Sequence, residues 1–133
     1  MTTTKQLNDW MHRHDATYVG TFSLNTVPAL PPSSSSSSSF IVNTQTENLP
    51  GQHWIAVRCI RDTAWIFDSL AFPPLPTLCN HLLIHCHMKH LYQCKTVVQP
   101  PQTQTCGHHC VFFLLRNEAA SSEEEVKSFV ATL

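Results

Sequence analysis

Cys106 is the side chain of this sequence best placed for covalent chemistry. Gly107 follows it, and from Cys110 to Leu115 the chain is an apolar run that reads as the first turns of a buried helix. The start of a helix carries unpaired backbone N–H groups and the positive end of the helix dipole, and both favour a thiolate over a thiol. A thiolate attacks carbonyl carbon, and Gly107 leaves room for a second backbone to approach it. Such a nucleophile requires a base and a group that orients the base. Upstream, Gln99 supplies an amide that can donate to a developing oxyanion beside the Cys106 backbone N–H. Gln102 and Gln104 carry the same amide on the same loop.

The base and its partner lie in an earlier stretch. His53-Trp54-Ile-Ala-Val-Arg-Cys-Ile60 and Ala64-Trp-Ile-Phe-Asp68 are two runs rich in β-branched and aromatic residues, separated by Arg61-Asp62-Thr63. That pattern predicts a β-hairpin. His53 opens one strand and Asp68 closes the other, so antiparallel pairing brings the two together. The expected arrangement has the Asp68 carboxylate holding the imidazole at Nδ1–H and leaves Nε2 to take the cysteine proton. Histidine, acid, glutamine and cysteine, in that order, make up a peptidase constellation.

These residues and their surrounding words resemble the adenovirus proteinase (adenain) family and the related Ulp-type peptidases, which act on ubiquitin-like modifiers. The resemblance runs over roughly residues 18 to 115. His53-Trp54 is similar to the family's His-Trp pair. Phe67-Asp68-Ser69-Leu70 resembles the Ulp acid strand, where adenain has a glutamate. Val98-Gln99-Pro-Pro followed by Cys106-Gly107 is similar to adenain's glutamine-to-cysteine spacing, which singles out Gln99 from Gln102 and Gln104. Tyr18-Val-Gly20-Thr21 and Ile41-Val-Asn43-Thr44 also look adenain-like. The resemblance implies an α+β, papain-like or adenain-like cysteine protease fold, with a small mixed sheet packed on the helix that carries the nucleophile. It implies a cysteine endopeptidase with catalytic residues His53, Asp68, Gln99 and Cys106. The implied substrates are viral precursor proteins cut at glycine-containing sites during virion maturation, or ubiquitin-like tails if the chain is a deconjugating enzyme. An activating peptide and DNA are further expectations of the same kind, with Cys94 the candidate for a disulfide to such a peptide. No cofactor is required by the chemistry itself.

Composition sets bounds on these expectations. The chain has 133 residues, 42% hydrophobic and 13% charged, which suits one modest domain spanning residues 1–133. Eight basic and nine acidic side chains give a formal net charge of −1, without the basic excess of a nucleic-acid footprint. The first residues, Met1 to Asp9, have no apolar core of a leader, and no run is long enough to span a membrane. Six cysteines without a leader suggest reduced thiols and an intracellular site of action; the resemblance implies that this is the nucleus or cytoplasm of a host cell, or a virion.

The supporting elements follow in order. Leu7, Trp10 and Met11 at helical spacing predict a helix over 4–14, with Asn8, Asp9, Arg13 and His14 facing water. Tyr18 to Phe22 reads as an edge strand or an extended segment. Residues 28–39, prolines followed by seven serines, read as a flexible surface loop (33–39 above all) or a linker. Phe40 to Thr44 reads as a strand. Thr77 to Tyr92 is expected to be a helix started at Pro76, with Leu78, Leu82, Leu83, Cys86 and Leu91 on one face. Cys94 to Gln99 is expected to be a strand, and Ser122 to Leu133 a last helix capped by Ser122.

Two other function classes compete. Cys79, His81, His85, Cys86, His87 and His90 lie close in sequence, as do Cys106, His108, His109 and Cys110. These are zinc-ligand types, and they would suit a zinc-binding interaction module, but they lack paired C-x-x-C spacing, so no metal site is assigned. An inactive module that binds a ubiquitin-like partner or a capsid protein is the other alternative. Cys59 and Cys110 sit in apolar runs and are expected in the core.

Overall fold

The structure is a computed structural model, and it describes residues 3–15, 17–24, 26–30, 37–43, 53–68, 75–93, 110 and 113–114. The expectations for Cys94 to Gln99, for Gln102 and Gln104, for Cys106 to His109 and for Ser122 to Leu133 fall outside those residues.

Helix α1, Thr4–His14, starts at a capping box. The Thr3 side chain accepts from Gln6 N–H, and the Thr3 N–H donates to the Gln6 side chain, which satisfies two otherwise orphaned donors. His12, Arg13 and His14 complement the dipole at the other end. Leu7 and Met11, one turn apart, are fully buried, and Trp10 packs against the same cluster. Asp9, Arg13 and His14 are exposed, whereas Asn8 is half-buried.

Strands β1 (Tyr18–Ser23), β2 (Ser37–Asn43), β3 (Trp54–Ile60), β4 (Thr63–Phe67) and β5 (His90–Gln93) form one mixed sheet in the order β1-β2-β3-β4-β5. The outer pairs, β1 with β2 and β4 with β5, are parallel, and the inner two are antiparallel. The sheet is covered on both faces, which is why β3 and β4 are buried at every position rather than at alternate ones. Trp54, Ala56 and Ile60 of β3 join Leu7 and Met11 of α1 and Cys110, Phe113 and Leu114 on one face. Ile55, Val57 and Cys59 join Leu78 and Leu82 of helix α2 (Pro76–Ile84) on the other. The architecture is thus α+β, a mixed sheet between helical layers.

Two expectations require correction. The helix expected over Thr77–Tyr92 ends at Ile84. Leu78, Leu82 and Cys86 are buried as the spacing implied, but Leu83 is 44% exposed and Leu91 belongs to β5. The helical count continued through His90–Gln93, but edge pairing with β4 captures that segment, with Tyr92 stacked on Trp65 at 4.8 Å. His87, at φ 60°, makes the left-handed break that redirects the chain. The serine run is the second. Ser37, Ser38 and Ser39 are the first residues of β2, paired with Ile60, Cys59 and Arg58, and Ser39 is fully buried. Composition marked these serines as loop, yet their small hydroxyls fit a ladder beside a buried polar network.

Gly20 holds β1 in a conformation that side chains disfavour, φ +157°, next to a register shift against β2. A Cβ there would meet the Phe22 ring at 2.7 Å. Gly20→Ala is therefore expected to cost about 1–3 kcal/mol of stability, read from the midpoint of urea unfolding. An unchanged midpoint would show that β1 relaxes freely.

Candidate active site

The sheet register builds the site. Ala56 pairs with Phe67, so one step outward Ile55 faces Asp68 and His53 becomes its diagonal neighbour across the hairpin. The two side chains meet: His53 Nε2 lies 2.6 Å from Asp68 Oδ1. Asp68 is buried, with a side chain only 2% exposed, while that of His53 is 19% exposed, so the acid lies beneath and the imidazole reaches towards solvent. The turn that closes the hairpin is Arg61-Asp62, with Arg61 at φ 56°, a left-handed conformation that a two-residue connection demands.

The ring is reversed from the expected orientation. A carboxylate accepts, so Nε2–H donates to Asp68, and a base role for this histidine would fall to Nδ1 rather than Nε2. His53 stands beyond the end of β3 and reaches across to the facing strand with the far atom of its ring, a consequence of diagonal pairing that the sequence does not reveal. The chemistry is the same with the nitrogens exchanged: Asp68 fixes the tautomer and stabilises the imidazolium once Nδ1 has taken a proton.

Cys110 ties the helical residues to this pair. Its Sγ–H donates to the Trp54 carbonyl at 3.2 Å, one residue after His53. Phe113 stacks on Phe67 at 4.8 Å and 6°, one residue before Asp68. The helical residues Cys110 and Phe113 therefore sit against the two strand positions that adjoin the dyad. Gln99, Cys106 and Cys94 lie outside the described residues, so the structure brings together two of the four expected catalytic residues and leaves the other two to chain connectivity.

Sequence reasoning missed the residues that brace this arrangement. Arg58, in the middle of β3 and fully buried, donates to Asp15 Oδ2 at 3.1 Å, to Thr17 Oγ1 at 2.9 Å and to the Leu114 carbonyl at 2.9 Å. Asp15 also accepts from Ser39 Oγ at 2.8 Å and from Thr17 N–H at 2.9 Å. Burial alone would push the Asp15 carboxyl up; the Thr17 bond, the Arg58 charge and the Ser39 bond outweigh it and hold the carboxyl below its ordinary value. One guanidinium thus joins the end of α1, β3 and helical Leu114. The signal was available: a single charge within Trp54-Ile-Ala-Val-Arg-Cys-Ile60.

Burial disfavours the thiolate at three of the described cysteines. Burial pushes Cys59 up to about 12, with the neighbouring Cys86 adding to the rise, and burial also raises Cys79 and Cys86. No group of three or more His, Cys, Asp or Glu side chains converges as a metal site among the described residues.

No protein-family model matches the sequence, and no curated protein matches it. The fold does match solved structures. The crystal structure of the ASFV pS273R protease superposes with a TM-score of 0.58 at 16% identity, over 96% of this chain and 63% of that one. Its selenomethionine form gives a TM-score of 0.49 at 16% identity, over 71% and 42%. The present chain spans less than two thirds of that protease, and at this identity the likeness is one of fold.

Proposed function

We propose that the chain is a cysteine endopeptidase in which Cys106 is the nucleophile, His53 the base, Asp68 its orienting acid and Gln99 an oxyanion donor. The observation that carries this reading is the 2.6 Å His53–Asp68 contact at the mouth of the hairpin. Cys110, anchored on the Trp54 carbonyl, follows Cys106 by four residues, a stretch that spans at most about 14 Å, and this supports pairing Cys106 with that contact. The shared fold with a protease supports the same conclusion.

In this reading the Cys106 thiol gives its proton to His53 Nδ1, and the thiolate attacks the scissile carbonyl. The Gln99 amide and the Cys106 backbone N–H stabilise the oxyanion. Collapse of the tetrahedral intermediate breaks the C–N bond, and Nδ1–H protonates the departing amine. Water, deprotonated by Nδ1, then cleaves the thioester and frees the thiol. The adenain-like words favour glycine-containing sites in precursor proteins as substrate, acted on inside an infected cell or a virion. Phe67-Asp68-Ser69-Leu70 favours ubiquitin-like tails as the second reading.

The test is hydrolysis of fluorogenic glycine-containing peptides by wild type, Cys106→Ala and Gln99→Ala. Cys106→Ala should be inactive, and Gln99→Ala should lose roughly 10²–10³-fold in kcat with KM little altered. Activity that survives Cys106→Ala would overturn the assignment, and cleavage confined to ubiquitin-like conjugates would select the second reading. A thiol-labelling series belongs beside it: iodoacetamide should modify Cys106 well before Cys59 and Cys86, whose thiols burial holds in the neutral form. Equal labelling rates would rule out an activated Cys106.

A further inference from the structure

We propose that His81 and His85 form a two-histidine site for a borderline divalent transition ion of the Zn²⁺, Ni²⁺ or Cu²⁺ class. The site lies on the α2 side of the sheet and is independent of the peptidase reading. His81 is in the last turn of α2, and His85 is its C-cap, so the two stand at i and i+4 on one helical face. Their ring centroids are 5.2 Å apart and their planes 41° tilted. Two imidazoles bound to one tetrahedral ion at about 2.0–2.1 Å place their centroids about 5 Å apart, so the pair already has a chelating separation.

The protonation of His81 supports the assignment. Its Nε2 is 2.9 Å from the Pro28 carbonyl oxygen, which can only accept, so Nε2 carries the proton and the lone pair is on Nδ1. Ligating histidines have this arrangement: the second ring nitrogen donates to a backbone carbonyl, which orients the ring and raises its basicity. His85 is exposed. Both rings line a pocket of about 360 Å³ together with Asn80, Leu24, Val27 and Ile84, which leaves room for an ion that keeps its remaining waters. No third His, Cys, Asp or Glu joins them among the described residues. The protein therefore supplies two nitrogen donors, and water or an incoming ligand completes the shell. Imidazole donors select the borderline metals over Mg²⁺ or Ca²⁺.

The site has a structural consequence. The Leu30 N–H donates to the His85 carbonyl at 3.0 Å, so the two residues that hold the ion also hold residues 28–30 against α2. A bound ion makes His81 Nε2–H a stronger donor and tightens that junction.

The experiment is calorimetric titration of the full Cys106→Ala chain with Ni²⁺, the substitution removing the proposed nucleophile as a competing ligand. It is repeated after adding His85→Ala, His81→Ala, His87→Ala or His90→Ala, with Cu²⁺ electron paramagnetic resonance to count nitrogen ligands. A second tethered imidazole raises affinity by effective concentration, so His85→Ala and His81→Ala should each weaken the component they share by about 10²-fold or more, and His87→Ala and His90→Ala should leave it unchanged. Cu²⁺ should bind more tightly than Ni²⁺ or Zn²⁺, with two equatorial nitrogens in the parent and one in His85→Ala. His81→Ala also removes the Pro28 bond, so the exposed His85 is the decisive position. Parent-like binding in His85→Ala, or the absence of Ni²⁺ binding in the parent, overturns the site, as does loss of the component in His87→Ala or His90→Ala.

Discussion

Asp68→Ala lowers kcat by about 10⁴-fold on the peptidase reading, and His53→Ala by about 10⁶-fold, the sizes seen when the corresponding members of a catalytic triad are removed. Asp68→Asn separates the charge of the acid from its part in orienting the ring. Asp68 accepts from Nε2–H at 2.6 Å, and an asparagine carbonyl can still accept there, so the tautomer with Nδ1 as base is retained. What is lost is the charge that stabilises the imidazolium, for which we expect about 10²-fold in kcat, within the range of a general-base contribution. The side chain is almost fully buried, and the replacement conserves volume, so stability should fall far less than activity. Kinetics of the three variants on one fluorogenic peptide give the answer. Equal losses for Asp68→Asn and Asp68→Ala would overturn this division between charge and orientation.

The largest expected loss of stability belongs to the buried ion pair. Arg58→Met leaves the Asp15 carboxylate, 3% exposed, without its cation, and Asp15→Leu leaves a fully buried guanidinium without its anion. Each single substitution should cost about 3–5 kcal/mol, because the charge that remains is buried and uncompensated. The double variant Arg58→Met with Asp15→Leu should cost clearly less than the sum of the two, since neither charge remains. Urea unfolding of the four proteins closes the cycle, and strict additivity would show that the pair is not coupled. Acid sensitivity follows from the same pair. A carboxyl held below its ordinary value binds fewer protons folded than unfolded, so its contribution is present above about pH 3.9 and is lost as pH falls through the lower folded value. Wild-type stability should therefore drop steeply below about pH 4, and the double variant should lack that part of the drop.

The legible parts of the chain share a property: local pattern and tertiary environment agree. Leu7, Trp10 and Met11 announced α1, and the runs on either side of Arg61-Asp62 announced the hairpin. Because a hairpin is local, pairing Ala56 with Phe67 brings His53 and Asp68 to the same end, and their contact is legible in the residue order itself. Leu83 and Leu91 misled because they fit a helical count that tertiary pairing overrode. Ser37 to Ser39 misled because composition reports average behaviour, and these three serines lie beside β3.

What the sequence alone determined is the order of the candidate residues and the local patterns around them: His53 before β3, Asp68 after β4, and an apolar run after Cys106. Spacing and alternation encode these because they act over a few residues, where the backbone has few choices. The tertiary structure decided which imidazole nitrogen meets the acid, where α2 gives way to β5, and what a lone arginine in an apolar strand is for. Each of these depends on groups distant in sequence meeting in space, as when Arg58 of β3 reaches both Asp15 and the Leu114 carbonyl. A buried charge must find its partners somewhere, and the sequence announces that requirement without naming them.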